Sequence, residues 1–135
     1  MLERFSGRRI EIRHEVKTDG EMDIDSERFT RVVYNLLENG YKAMPDGGIF
    51  LITAEIKENN IIFLFKDSGI GISSEEQIKI FEPFYSGSNS NSIGLGLSIV
   101  KSIVEAHGGS VSLQSALGKG STFTLLFPRF RAQSK

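Results

Sequence analysis

Apolar and polar residues alternate from Arg9 to Val16, with Ile10, Ile12 and Val16 on one side and charges on the other. That is the pattern of a half-buried strand. Asp25 or Ser26 can cap a helix running to about Met44, with Glu27 in its first turn, and Pro45-Asp46-Gly47-Gly48 ends it. Two β-rich runs, Ile49–Ile56 and Ile61–Lys66, meet around Asn59-Asn60 and predict a hairpin. Asp67-Ser68-Gly69-Ile70-Gly71 breaks the second run, and a short helical stretch near Glu75–Ile80 leads to Phe81-Glu82-Pro83-Phe84. A helix from about Leu95 to Ala106 places Leu97, Val100 and Val104 on one face and stops at His107-Gly108-Gly109. Strands at Ser110–Ser115 and Ser121–Phe127 flank a glycine turn. The order strand, helix, two strands, helix, two strands predicts an α+β fold. The expected form is a two-layer sandwich, a mixed, mostly antiparallel sheet covered on one face by helices.

Composition narrows the function. The chain has 135 residues, the size of one domain, and no internal repeat or dividing linker. Sixteen Lys and Arg against 17 Asp and Glu leave a net charge of -1, which gives no basic footprint for nucleic acid. With no cysteine, disulfides, thiolate zinc and a Cys nucleophile are excluded, and two histidines make a His-rich metal site a poor expectation. No apolar run approaches the roughly 18 residues that span a bilayer. The expectation is a cytoplasmic domain that makes no membrane contact itself.

Three segments carry candidate chemistry. On the first helix, Asn35, Asn39 and Lys42 fall within roughly 60° of one another, beside the apolar stripe of Phe29, Val32, Leu36 and Ala43. Amide oxygens suit Mg²⁺ and a lysine can neutralise phosphate, although a solvated helix face has the same composition. Asp67-Ser68-Gly69-Ile70-Gly71 offers a carboxylate at a strand end that could accept from an exocyclic amine, or it is a plain turn. Gly94-Leu95-Gly96-Leu97 opens the last helix, where free N–H groups favour an anion, after a Ser, Gly and Asn loop that could act as a lid. Gly118-Lys119-Gly120-Ser121 is not a P-loop, because it lacks the Gly-Lys-Ser/Thr core and precedes a strand.

In this order, over Ile10 to Pro128, the segments resemble the ATP-binding catalytic domain of sensor histidine kinases, in the superfamily shared with DNA gyrase B, Hsp90 and MutL. Asn35-x-x-x-Asn39-x-x-Lys42 is similar to the N box, Asp67-x-Gly69-x-Gly71 to the first glycine box, and Phe81-Glu82-Pro83-Phe84 to the F box. Gly94-Leu95-Gly96-Leu97 is similar to the second glycine box, and Gly118 to Phe123 to the final glycine block. The resemblance implies the superfamily's Bergerat-type ATP-binding sandwich.

It also implies roles. Asn39 would hold Mg²⁺, with Asn35 supporting metal and phosphates, and Lys42 would contact the phosphates. Asp67 would read the adenine amino group, helped by Thr122. Gly69 and Gly71 would let the chain pass close to the base. Gly94, Leu95 and Gly96 would cradle phosphate. Ile70, Ile72 and Leu97 would wall the adenine pocket, and Phe81, Phe84 and Tyr85 would anchor the lid. The implied domain is residues 9–129, with 1–8 left from a linker to a helical hairpin and 130–135 a tail.

The implied function is transfer of the γ-phosphoryl of ATP to a histidine on a helical dimerisation and phosphoacceptor domain absent from this chain. Without that partner the domain would be inactive in transfer, and a response regulator receiver domain would act downstream. Neither His14 nor His107 is expected to be the acceptor: His14 shares the strand face of Ile10 and Ile12, and His107 ends a helix. Hydrolysing relatives and anti-sigma-factor serine kinases usually carry glutamate as general base where this chain has Asn35, and an amide cannot take that proton. An ATP-hydrolysing switch and a nucleotide-regulated interaction module are the alternatives. The chain departs from the family in Ser92-Ile93, in a lid without a basic residue from Ser86 to Ile93, and in Gly40, which costs about 1 kcal/mol of helix propensity.

Overall fold

The computed structural model describes residues 2–5, 8–16, 24–83 and 96–128. Its elements are β1 (Leu2–Phe5), β2 (Arg8–Val16), α1 (Ser26–Ala43), β3 (Gly48–Lys57), β4 (Asn60–Asp67), α2 (Ser74–Gln77), α3 (Gly96–Ala106), β5 (Ser110–Ser115) and β6 (Ser121–Pro128). The strands form one six-stranded sheet in the order β1-β2-β3-β4-β6-β5. β2 and β3 are parallel, with α1 as their crossover, and every other neighbouring pair is antiparallel. β1 lies in the segment expected to be linker. It adds an antiparallel edge, pairing Glu3 with Ile10 and Arg4 with Arg9.

Alternation decides which side chains meet the helices. β6 runs buried then half-buried residue by residue, so Ser121, Phe123, Leu125 and Phe127 face the helices and Thr122, Thr124 and Leu126 the other side. Phe50 of β3, Phe63 and Phe65 of β4 and the β6 aromatics face Val32 and Leu36 of α1 and Val100 and Val104 of α3. Rings meet tilted in Phe29–Phe63, with centroids 5.1 Å apart, and edge-to-face in Phe63–Phe127, at 6.0 Å, geometries that aromatic quadrupoles favour. The β3–β4 turn uses Glu58 and Asn59 at φ +54° and +66°. Two successive positive φ values match the right-handed strand twist. The turn sits one residue earlier than the Asn-Asn pair suggests.

Caps fix where the helices start and stop. Asp25 accepts from the N–H groups of Glu27 at 2.9 Å and Arg28 at 3.2 Å, satisfying two of the free donors of the first turn. His107, just beyond α3, reaches the same cap: its Nε2 accepts from the Asp25 N–H at 3.4 Å while Nδ1 donates to the Ile103 carbonyl at 2.8 Å. The imidazole thereby ties the end of α3 to the start of α1, a structural task. The predicted short helix after Gly71 shrinks to Ser74–Gln77, capped by the Ser73 hydroxyl. Gly40 also finds its reason. A Cβ there would overlap the edge of the Phe50 ring, so α1 approaches β3 at a distance that suits glycine. Among the described residues no helix is long and apolar enough to cross a membrane.

Candidate functional site

β4 delivers a carboxylate to the helix side. Asp67 ends β4 on the face that carries Phe63 and Phe65, opposite Ser121 of β6, and is 2 % exposed. Its Oδ1 accepts from the Gly69 N–H at 2.9 Å, and the Ser121 N–H also points to the carboxylate. Burial pushes its pKa above the ordinary aspartate value, and the two N–H donors oppose that push. A buried carboxylate with remaining lone pairs is suited to an N–H donor from a ligand.

The loop after Asp67 is held by backbone crossings. The Ile70 N–H donates to the Ala43 carbonyl at the end of α1 at 2.9 Å, and the Gly118 N–H donates to the Ile70 carbonyl at 2.7 Å. A Cβ at Gly69 would strike the Ala43 carbonyl, and one at Gly71, where φ is +79°, would strike the carbonyl of Ala116. Both glycines, expected to make room for a base, are thus already required by the chain's own path. Ile72 is half-buried beyond them, and Ile70 is 47 % exposed beside the loop.

α1 carries Asn35, Asn39 and Lys42 along one side, the two amides half-buried and Lys42 exposed. The Asn35 Nδ2 donates to the Gly96 carbonyl at 3.3 Å, which joins the middle of α1 to the first turn of α3. Leu97 is buried in the core between those helices. Phe81 packs edge-on against Phe123 at 6.1 Å, with the Lys101 ammonium 5.9 Å from its ring centre. The structure therefore brings Asn35 to Gly96, and Asp67 to Gly69. Phe84, Tyr85, Gly94 and Leu95 lie outside the described residues.

Thr122 is not brought to Asp67. It pairs with Lys66 on the sheet face turned away from the helices, and Ser121 takes the place beside the carboxylate. A strand's two-residue period makes this a one-position difference. The sequence also gave no prominence to Ser115 and Gln77. The Ser115 Oγ accepts from the Ile72 N–H at 2.8 Å, donates to the Gly120 carbonyl at 2.8 Å and lies 2.8 Å from the Ser121 Oγ. The Gln77 amide donates to the carbonyls of Ile72 at 2.7 Å and Ser115 at 3.0 Å.

A mixed sheet under one helical layer, with a buried aspartate, a glycine-threaded loop and an amide-bearing helix meeting a glycine-opened one, defines a nucleotide-binding domain of the ATPase sandwich class. Residues 24–131 match the family described as histidine kinase-, DNA gyrase B-, and HSP90-like ATPase, and the chain belongs to it. It is 38% identical over 108 residues to the sensor histidine kinase ZraS of Escherichia coli strain K12, covering 80% of this chain and 23% of that protein. It is 36% identical over 124 residues to the sensor histidine kinase WalK of Bacillus subtilis strain 168, covering 87% and 20%. The chain thus spans about a fifth of the length of these curated relatives. Among solved structures, the catalytic domain of the histidine kinase ThkA superposes with a TM-score of 0.79 at 30% identity, over 89% of this chain and 79% of that one. Full-length ShkA in complex with AMPPNP superposes with a TM-score of 0.76 at 30% identity, over 88% and 25%. The resemblance of the boxes to a sensor histidine kinase catalytic domain, the α+β sandwich and the ATP-binding class all stand.

Proposed function

We propose that this domain binds ATP with Mg²⁺ and presents the γ-phosphoryl to a histidine on a helical dimerisation and phosphoacceptor domain, from which a response regulator receiver domain then takes it. The observation that carries this reading is Asn35. It occupies the motif position at which hydrolysing relatives usually carry a glutamate base, and its Nδ2 is committed to the Gly96 carbonyl at 3.3 Å. An amide accepts no proton near neutral pH, whereas an incoming imidazole brings its own basicity.

The residues fit the nucleotide and its cation. The buried Asp67 carboxylate accepts from the exocyclic amine of adenine, and Ile72 lies against the base. Asn39 and Asn35 would supply neutral oxygens to Mg²⁺, a hard cation suited to such donors. Among the described residues no group of three or more His, Cys, Asp or Glu side chains could hold a metal ion. Mg²⁺, when bound, neutralises phosphate charge. Lys42 adds a second positive charge, and the motif assigns the N–H groups of Gly94, Leu95 and Gly96 to phosphate. Tyr85 is assigned to the nucleotide by the motif alone. The chain's own contribution is positioning and charge neutralisation.

The test supplies the purified domain with the acceptor-histidine hairpin of its own full-length kinase, labelled ATP and Mg²⁺. Label should appear on the acceptor histidine, with no steady phosphate release from the domain alone. Steady release with an unlabelled hairpin would replace this reading with the hydrolysing switch. Neither release nor labelling, with ATP bound, would favour the interaction module.

A further inference from the structure

The base end of the site contains a hydroxyl pair whose polarity is fixed by its surroundings. A serine hydroxyl has one proton to give and two lone pairs to receive. The Ser115 Oγ meets the Gly120 carbonyl at 2.8 Å, which can only accept, and the Ile72 N–H at 2.8 Å, which can only donate. The proton of Ser115 therefore goes to Gly120, and one lone pair takes Ile72. Its third neighbour, the Ser121 Oγ at 2.8 Å, is left to donate into the second lone pair. Ser121 is 3 % exposed, and its own N–H is turned to Asp67. With its proton spent on Ser115, the Ser121 hydroxyl keeps only lone pairs for any other neighbour. The Gln77 amide holds the arrangement from outside, donating to the carbonyls of Ile72 and Ser115 at 2.7 and 3.0 Å.

We propose that Ser115 is a positioning residue for base selection: it orients the Ser121 hydroxyl as an acceptor beside Asp67, so that this corner accepts a purine 6-amino group and rejects a 6-oxo group. The inference rests on the nucleotide reading above and adds to it the residue that sets the sign of the hydrogen bonding. A 6-oxo purine presents a carbonyl to two acceptors, leaving a buried mismatch. A hydroxyl released from Ser115 can rotate and donate, which relieves part of that mismatch.

The test is calorimetric titration of ADP and of inosine diphosphate, which differs at the 6-position, into wild type, Ser115→Ala and Ser115→Thr. Wild type should prefer ADP. Ser115→Ala should shrink the ADP-to-inosine-diphosphate affinity ratio by about tenfold, a hydrogen bond's share, and Ser115→Thr, which keeps the hydroxyl, should restore it. A structural role alone lowers both affinities by one factor, so an unchanged ratio in Ser115→Ala overturns the proposal. Should Ser115→Ala not fold, Ser121→Ala carries the same test: it must lose a similar part of the preference, and a full wild-type ratio there refutes the role. If folded wild type binds neither nucleotide at millimolar concentration, the nucleotide reading fails and this inference with it. If wild type binds both equally, only the inference fails.

Discussion

Gly40 and the ring of Phe50 are packed so closely that a Cβ on residue 40 would overlap the ring's edge carbons. Helix propensity argues the other way, since alanine would favour α1 by about 1 kcal/mol. Overpacking a core typically costs about 1–3 kcal/mol, so contact outweighs propensity at this position. Gly40→Ala should lower the unfolding free energy by about 1–2 kcal/mol in urea titration. The same change in a Phe50→Leu background should be close to neutral, because the ring edge is gone. Additivity of the two substitutions would show that the two residues are not coupled in this way.

Asp67 gives a pH dependence with a definite sign. Its carboxyl is raised above the ordinary value of 3.8, chiefly by burial. The folded state therefore holds this proton more tightly than the unfolded chain does. The group's contribution to stability is present at low pH and is lost as pH rises through the raised folded value. Nucleotide affinity should run the opposite way, because only the ionised form offers all its lone pairs to an amine. Affinity for ADP should fall as the solution is acidified into the window above 3.8. Asp67→Asn should abolish that slope and cost about ten- to a hundredfold in affinity, the range for a hydrogen bond to a charged group. It should leave the melting temperature without ligand within a few degrees of wild type, since the amide oxygen still accepts from Gly69. A fall of many degrees would make Asp67 a residue of the fold first and of the site second.

His107 and Asp25 are 82 positions apart in sequence, and their bond holds the helical layer together at one end. His107→Ala removes the acceptor for the Asp25 N–H and the donor for the Ile103 carbonyl. The expected cost is about 1 kcal/mol in urea unfolding. ADP affinity should be unchanged, because the histidine lies at the far end of α3 from Gly96. A large loss of affinity with unchanged stability would assign His107 to the site instead.

Periodicity made most of this fold legible. The runs at Arg9–Val16, Ile49–Ile56, Ile61–Lys66 and Ser121–Phe127 each carry one apolar face, and each is a strand. Leu2–Phe5 is too short to show a period, and its pairing depends on β2 being there to receive it, so it read as linker. The site was legible where chemistry and spacing coincide on one element, as with Asn35, Asn39 and Lys42. It was not legible where function depends on which strand faces which. Ser121 and Thr122 are equally plausible partners for Asp67 until the register pairs Asp67 with Ser121. Ser115 and Gln77 carry no motif signal, because their importance comes from neighbours at separations of 43 and 38 residues. Gly69 and Gly71 were legible as necessary, but the reason lies in the carbonyls of Ala43 and Ala116, which no local pattern displays.

The bond from Asn35 to the Gly96 carbonyl separates two effects that a single substitution would otherwise mix. Asn35→Asp keeps the size of the side chain and replaces the Nδ2 donor by an oxygen, which then faces the carbonyl as acceptor against acceptor. The new carboxylate is a stronger ligand for Mg²⁺ than the amide, but it pushes away the first turn of α3. If Asn35 serves the site mainly by holding that turn, Asn35→Asp should weaken ADP binding about tenfold with or without Mg²⁺, the loss of about one hydrogen bond. If it serves mainly as a metal donor, the same variant should bind ADP more tightly when Mg²⁺ is present and the same without it. The first outcome is expected: the Nδ2 bond to the Gly96 carbonyl is lost in both arms, whatever the oxygen gives the cation. Calorimetry of ADP with Mg²⁺ and with a chelator decides between them, and an affinity gain confined to the Mg²⁺ arm would overturn the positioning role.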